Sequence, residues 1–103
     1  PNPFPALESL ERLALDGNKM DGTLPDFSEY IPRLKELDLS NQDQTDDGGL
    51  NGPIPRTLSK LIDLSILDVA GNKFTGSVPT TFGNLAELKV LNLSSNVLSQ
   101  SIP

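Results

Sequence analysis

Aliphatic positions recur along this chain in one fixed order, and the order comes back every 24 residues. Leu7, Leu10, Leu13, Leu15, Asn18, Met20, Gly22, Leu24 and Pro25 are matched by Leu61, Leu64, Leu67, Val69, Asn72, Phe74, Gly76, Val78 and Pro79. A further copy runs from Leu85, Leu88, Leu91, Leu93 and Asn96 to Leu98, Gln100, Ile102 and Pro103. The copy containing Ile31, Leu34, Leu37, Leu39, Leu50, Gly52, Ile54 and Pro55 is longer, with six extra residues between Leu39 and Leu50. Self-similarity at a fixed period of this length predicts a solenoid in which each copy is one coil.

Within a coil, the Leu-x-Leu stretch alternates with period two, so its leucines point inward and their neighbours outward, as on a half-buried strand. Stacked coils then form a parallel sheet. Asn18, Asn72 and Asn96 follow the strand by three residues, where an amide that both donates and accepts can pair backbone groups as the chain turns. The spacing leaves Gln42 at the equivalent place in the second coil, which predicts an interrupted column. The Gly-x-aliphatic-Pro segment predicts an extended path, because proline restricts both itself and its predecessor. The return limb, such as Leu58 to Leu61, has room for a short helical turn only.

These residues resemble the plant-type leucine-rich repeat, L-x-x-L-x-x-L-x-L-x-x-N-x-L-x-G-x-I-P, from Leu7 to Pro103. Leu37-Asp38-Leu39-Ser40, Phe74-Thr75-Gly76-Ser77-Val78-Pro79 and Phe82-Gly83-Asn84-Leu85 read nearly as that consensus. The resemblance implies an α/β-type repeat solenoid, with a short parallel sheet on a concave face and Pro-containing segments and short helical turns on the return side. It further implies a non-catalytic, extracellular or cell-surface segment of a receptor-like kinase or receptor-like protein ectodomain, with a protein or peptide ligand and a co-receptor as partners. Secreted polygalacturonase inhibitors and ice- or polysaccharide-binding solenoids are the alternatives. Departures from the pattern are the absence of cysteine, Gln42, Gln100, and Phe27-Ser28 in place of a late leucine. Residues 1–103 read as one array of about four coils from a longer one, with an acidic insertion near 41–49.

The alternation gives three outward columns: Arg12, Glu36, Ile66 and Val90; Ala14, Asp38, Asp68 and Asn92; Asp16, Ser40, Ala70 and Ser94. Of these, Arg12, Asp16, Glu36, Asp38, Ser40, Ile66, Asp68, Val90 and Asn92 are the expected partner contacts, with Asp43, Asp46 and Asp47 of the insertion beside them. Asp43, Thr45, Asp47 and Gly48 match the opening of a calcium loop, but the twelfth position, where a bidentate glutamate belongs, is Ile54. A solvated, mobile acidic loop is the expectation. Asn92-Leu93-Ser94 is the sole sequon for N-glycosylation.

Charge narrows the partners. The net charge is −6 over 103 residues, with eleven acids against four bases in residues 1–51. Nucleic acid and anionic membrane need a basic surface and are excluded; a cationic partner is permitted. No apolar run reaches the ~20 residues of a membrane span. Without His or Cys, nucleophile triads and thiolate or imidazole metal sites are excluded, and no cofactor is expected. Asp38 and Asp68, adjacent on neighbouring strands, are the one carboxylate pair to weigh for acid–base chemistry, and an open surface gives no means of separating their pKa values.

Overall fold

The computed structural model describes residues 5–26, 28–42, 44, 45 and 48–98. Each coil contributes one strand to each of two parallel sheets. The first sheet has the order β1 (Arg12–Ala14), β3 (Glu36–Asp38), β5 (Ile66–Asp68), β7 (Val90–Asn92); the second has the order β2 (Asp21–Thr23), β4 (Gly49–Pro53), β6 (Lys73–Gly76), β8 (Val97–Leu98). In the first sheet, equivalent residues pair: Leu13 with Leu37, Leu37 with Leu67, Leu67 with Leu91. The second sheet, which the sequence presents only as an extended segment, slips two residues per coil: Gly22 faces Leu50, Gly52 faces Phe74 and Gly76 faces Leu98. An even slip keeps every side chain on its own face, since facing alternates with period two. At ~3.3 Å per residue it offsets successive strands by about 6.6 Å on that side alone.

Between the sheets lies one narrow core. Leu34, Leu37, Leu39, Leu50, Leu61, Leu64, Leu67, Val69 and Phe74 are fully buried, each worth roughly 1.5–3 kcal/mol. The expected column Leu37, Leu67, Leu91 is buried at its first two members; Leu91 and Leu93, like Leu13 and Leu15, are only partly covered, because an end coil packs a neighbour on one side.

The turn off the first sheet is built twice over. Gly17, Asn41, Gly71 and Ser95 occupy equivalent places with φ of 72°, 53°, 67° and 56°. This left-handed conformation costs an ordinary residue roughly 1–2 kcal/mol, and it repeats because it aims the next side chain into the stack. The amide that follows joins two coils. Asn72 Nδ2 donates to Leu39 O (2.9 Å), Val69 O (3.1 Å) and Ala70 O (3.3 Å), while its Oδ1 accepts from the Leu50 N–H (3.1 Å). Asn96 repeats the pattern on Val69, Leu93, Ser94 and Phe74. The expected interruption at Gln42 is absent: its Nε2 donates to Leu15 O, Leu39 O and Ser40 O, and its Oε1 accepts from the Met20 N–H. One extra methylene is absorbed where the chain enters the insertion, so the ladder of amides runs unbroken from Asn18 to Asn96.

On the return side, Pro55 and Pro79 lie in extended conformation ahead of 3-10 turns Arg56–Lys60 and Thr80–Asn84. These turns place Leu58 and Phe82 in the core. The coil before them puts Ser28 at the same position, also buried. Its polarity is satisfied by Asp26, whose Oδ1 accepts from the Ser28 N–H (3.0 Å) and Oγ–H (2.7 Å). Those two bonds, with the nearby Lys60 ammonium and Thr57 hydroxyl, hold the Asp26 carboxyl below its usual value.

Candidate functional site

Three-residue strands present two outward columns on the first sheet. In the first, Arg12 Nε and Glu36 Oε2 form an exposed ion pair at 3.0 Å, followed by Ile66 and Val90, the last of them 48% exposed. Ile66 and Val90 therefore extend an apolar step beyond a neutralised pair. In the second column, register places Asp38 beside Asp68 and Asp68 beside Asn92. Each turns one oxygen back on its own chain: Asp38 Oδ1 accepts from the Ser40 N–H (3.0 Å) and Oγ–H (2.6 Å), Asp68 Oδ1 from the Ala70 N–H, and Asn92 Oδ1 from the Ser94 N–H and Oγ–H. These side chains close the strands by accepting from the turn that follows.

The third expected column reaches the surface only at its two ends. Ser40 and Ala70 are buried, at 5% and 8% exposure, while Asp16 and Ser94 on the end coils remain exposed. Alternation ends with Asp38 and Asp68, and the left-handed residue after Ser40 swings that hydroxyl under the sheet. Ser40 is thus a closing hydrogen bond of the turn and no partner contact.

A groove at the other end of the same strands takes its place. Its cavity is about 510 Å³, lined by Glu11, Arg33, Lys35, Asp63, Ser65, Glu87 and Lys89. Backbone pairing fixes the first row: the Lys35 and Glu36 N–H groups both donate to Glu11 O, those of Ser65 and Ile66 to Lys35 O, and those of Lys89 and Val90 to Ser65 O. Lys35 and Glu11 pair at 3.6 Å, whereas Arg33, Asp63, Glu87 and Lys89 make no ion pair among the described residues. Three cations and three anions give a locally neutral, charge-patterned wall in a chain of net charge −6. The repeat places Glu11, Lys35, Ser65 and Lys89 one residue before each strand and Arg33, Asp63 and Glu87 three residues before, outside the Leu-x-Leu alternation.

The described residues of the insertion are tied to the coils beside them, with Gln44 and Thr45 exposed. Gly48, Gly49 and Gln42 are buried; Lys73 Nζ donates to the carbonyls of Thr45 and Gly48, and Gln44 Nε2 donates to Gln42 O and to Gly71 O (2.7 Å). An ammonium from the next coil thus supplies the cation that gathers the loop carbonyls. Asp43, Asp46 and Asp47 lie outside the described residues. Among the described residues, no cluster of three or more His, Cys, Asp or Glu that holds a metal ion is present. No helix among them is long and apolar enough to cross a membrane.

Comparison with known proteins agrees with this architecture. The leucine rich repeat family matches residues 55–103. Receptor like protein 22 of Arabidopsis thaliana is 37% identical over 71 residues, which cover 69% of this chain and 9% of that protein. Among solved structures, the ectodomain of the Arabidopsis receptor kinase GASSHO1/SCHENGEN3, in complex with CASPARIAN STRIP INTEGRITY FACTOR 2, superposes with a TM-score of 0.84 at 33% identity over 97% of this chain and 11% of the other. The Arabidopsis receptor kinase HAESA, with the peptide hormone IDA and the co-receptor SERK1, gives 0.79 at 34% identity over 91% of this chain and 15% of the other. The chain spans about a tenth of the curated relative it matches. With the unbroken amide ladder and the two parallel sheets, these likenesses make the chain a plant-type leucine-rich repeat solenoid, similar to segments of plant receptor ectodomains.

Proposed function

We propose that this segment recognises a protein or peptide ligand as part of an extracellular, plant-type receptor ectodomain, and that it has no catalytic role of its own. One observation carries the reading: the outward row Arg12, Glu36, Ile66, Val90 lies beside a charge-patterned groove, and four of the groove's charges make no ion pair among the described residues. Exposed charges with no internal role, next to a half-exposed apolar step, are the ingredients of an interface in which a small apolar centre is rimmed by polar groups. Similarity to ectodomains solved with a peptide factor, or with a peptide hormone and a co-receptor, supports the same reading. Four strands at ~4.8 Å spacing span only about 14 Å, so the segment supplies part of a standard interface of roughly 20–30 residues a side.

Arg12, Glu36, Asp38, Ile66, Asp68, Val90 and Asn92 are the proposed contacts, joined by Arg33, Asp63, Glu87 and Lys89, with Asp16 and the insertion at the margin. A glycan on Asn92 would stand at one end of this face and cover part of it. A photo-crosslinking residue at Ile66 of the full-length protein, expressed in plant tissue, should capture a protein or peptide, while the same residue at Gly83 on the return side should not. Capture of a glycoside hydrolase would favour the inhibitor alternative, and capture from Gly83 alone would refute the site.

A further inference from the structure

Asparagine serves this fold in two ways, distinguished by which half of the amide the turn uses. Asn18, Asn72 and Asn96 donate through Nδ2 to carbonyls of the turn, so their nitrogens are engaged in the ladder. Asn92 uses the other half. Its Oδ1 accepts from the Ser94 N–H (3.2 Å) and Oγ–H (2.8 Å), and its Nδ2 makes no hydrogen bond among the described residues. The Ser94 N–H can only donate, which fixes the atom facing it as the oxygen.

The repeat shows what this position requires. Asp38, Asp68 and Asn92 occupy one register across the first sheet, and each closes its strand through Oδ1. An acceptor oxygen is therefore enough for the turn, and an amide here brings a nitrogen for which the turn has no use. In the coil of β7 that nitrogen comes with a hydroxyl two residues on, and Asn92-Leu93-Ser94 is the acceptor sequence for N-linked glycosylation. The coil of β3 has the Ser40 hydroxyl without the amide, and the coil of β5 has neither, with Asp68 and Ala70 at the two places. Alternation puts Asn92 on the outward side of β7 with Val90, while Leu91 between them packs against the core.

We propose that Asn92 carries an N-linked glycan, a reading that rests on the extracellular function proposed above, because the transfer occurs only on chains that enter the secretory pathway. The co-reactant is a lipid-linked oligosaccharide diphosphate. A bond forms between Nδ2 and C1 of the first N-acetylglucosamine, the C1–O bond to the diphosphate breaks, and its electron pair leaves with the phosphate. The amide gives up one proton to a base of the transferring enzyme. Oδ1 is untouched, so both bonds from Ser94 survive the modification. On Asn72 the same transfer would set a sugar inside the stack, where the side chain is buried and its Nδ2 joins two coils. On Asn92 it removes no hydrogen bond of the fold. The glycan then stands on the ligand face at β7, and Asn92 holds the sugar instead of touching the ligand directly.

The test uses the full-length protein expressed in plant tissue and recovered from the cell-surface fraction. Tryptic cleavage behind Lys89 gives a peptide that begins at Val90 and holds both Asn92 and Asn96. Peptide N-glycosidase A in heavy-oxygen water should convert Asn92 to labelled aspartate in most molecules and leave Asn96, which lies in no sequon, unchanged. Asn92→Asp keeps the acceptor oxygen that Asp38 and Asp68 supply, so it should reach the surface at the parent's level and lose the mass of one glycan, whereas Ser94→Thr should retain that mass. A bare Asn92 in surface protein, or an unchanged mass in Asn92→Asp, would overturn the proposal and leave the ligand reading intact, since capture from Ile66 does not depend on the sugar. A protein found only in the cytosol and bare at Asn92 would overturn both.

Discussion

Replacing Asn72 by alanine tests the amide ladder where it matters most. The side chain is buried and its only apolar carbon is the Cβ that alanine keeps, so any large loss must come from hydrogen bonds. Its three carbonyl partners each keep another donor: Leu39 O receives Gln42 Nε2, Val69 O receives Asn96 Nδ2, and Ala70 O receives the Asn41 N–H. The Leu50 N–H loses its side-chain acceptor in a fully buried position. One stranded buried donor costs roughly 1–3 kcal/mol, and the lost second bonds to the carbonyls bring the expected total to about 2–3 kcal/mol. Against the roughly 5–15 kcal/mol of a domain this size, that is a large fraction. A urea titration followed by far-ultraviolet circular dichroism should show the midpoint falling at nearly constant slope. Asn72→Asp provides a directional control. It keeps the acceptor for Leu50 but turns a carboxylate toward three carbonyls, so its folded-state pKa is raised and its stability should improve as pH falls through that value. A loss below about 0.5 kcal/mol in Asn72→Ala, or no acid recovery in Asn72→Asp, would refute the account of the ladder.

Leu67→Ala should cost about 2–5 kcal/mol, and Leu91→Ala distinctly less, because Leu67 is fully covered and Leu91 only partly; equal losses in denaturant titrations would contradict the end-coil packing. Lys73→Met should raise amide hydrogen exchange at Gln44, Thr45 and Gly48 while leaving β5 protected, since the ammonium that gathers those carbonyls is gone; unchanged exchange would show that other contacts hold the insertion. Asp26 sets part of the acid limb: its carboxyl lies below its ordinary range, held there first by the Ser28 hydroxyl. A depressed carboxyl adds stability in full above the unfolded value and loses it as pH falls through the folded one. The gap between the parent and Asp26→Asn should therefore be constant above about pH 5 and close below about pH 3.8, in urea titrations at stepped pH; a gap independent of pH would remove Asp26 from that role.

The sequence by itself determined the coil. Leucines at Leu13, Leu37, Leu67 and Leu91 state the period, alternation states which residues of each strand face inward, and Asn72 and Asn96 state where the chain must turn, because each of these depends on neighbours a few residues away. What only the tertiary structure decided depends on the adjacent coil. Gln42 reaches the place of an asparagine because Met20 and Leu15 of the previous coil are there to meet it. Lys73 gathers an insertion that precedes it by a coil, and Ser28 sits in an aliphatic position because Asp26 satisfies it. Ser40 leaves the surface because strand geometry gives way to a left-handed residue one step later. The groove of Arg33, Asp63, Glu87 and Lys89 exists only once four coils are stacked in register, since one-dimensional spacing records which residues repeat but not which charges of successive copies find partners.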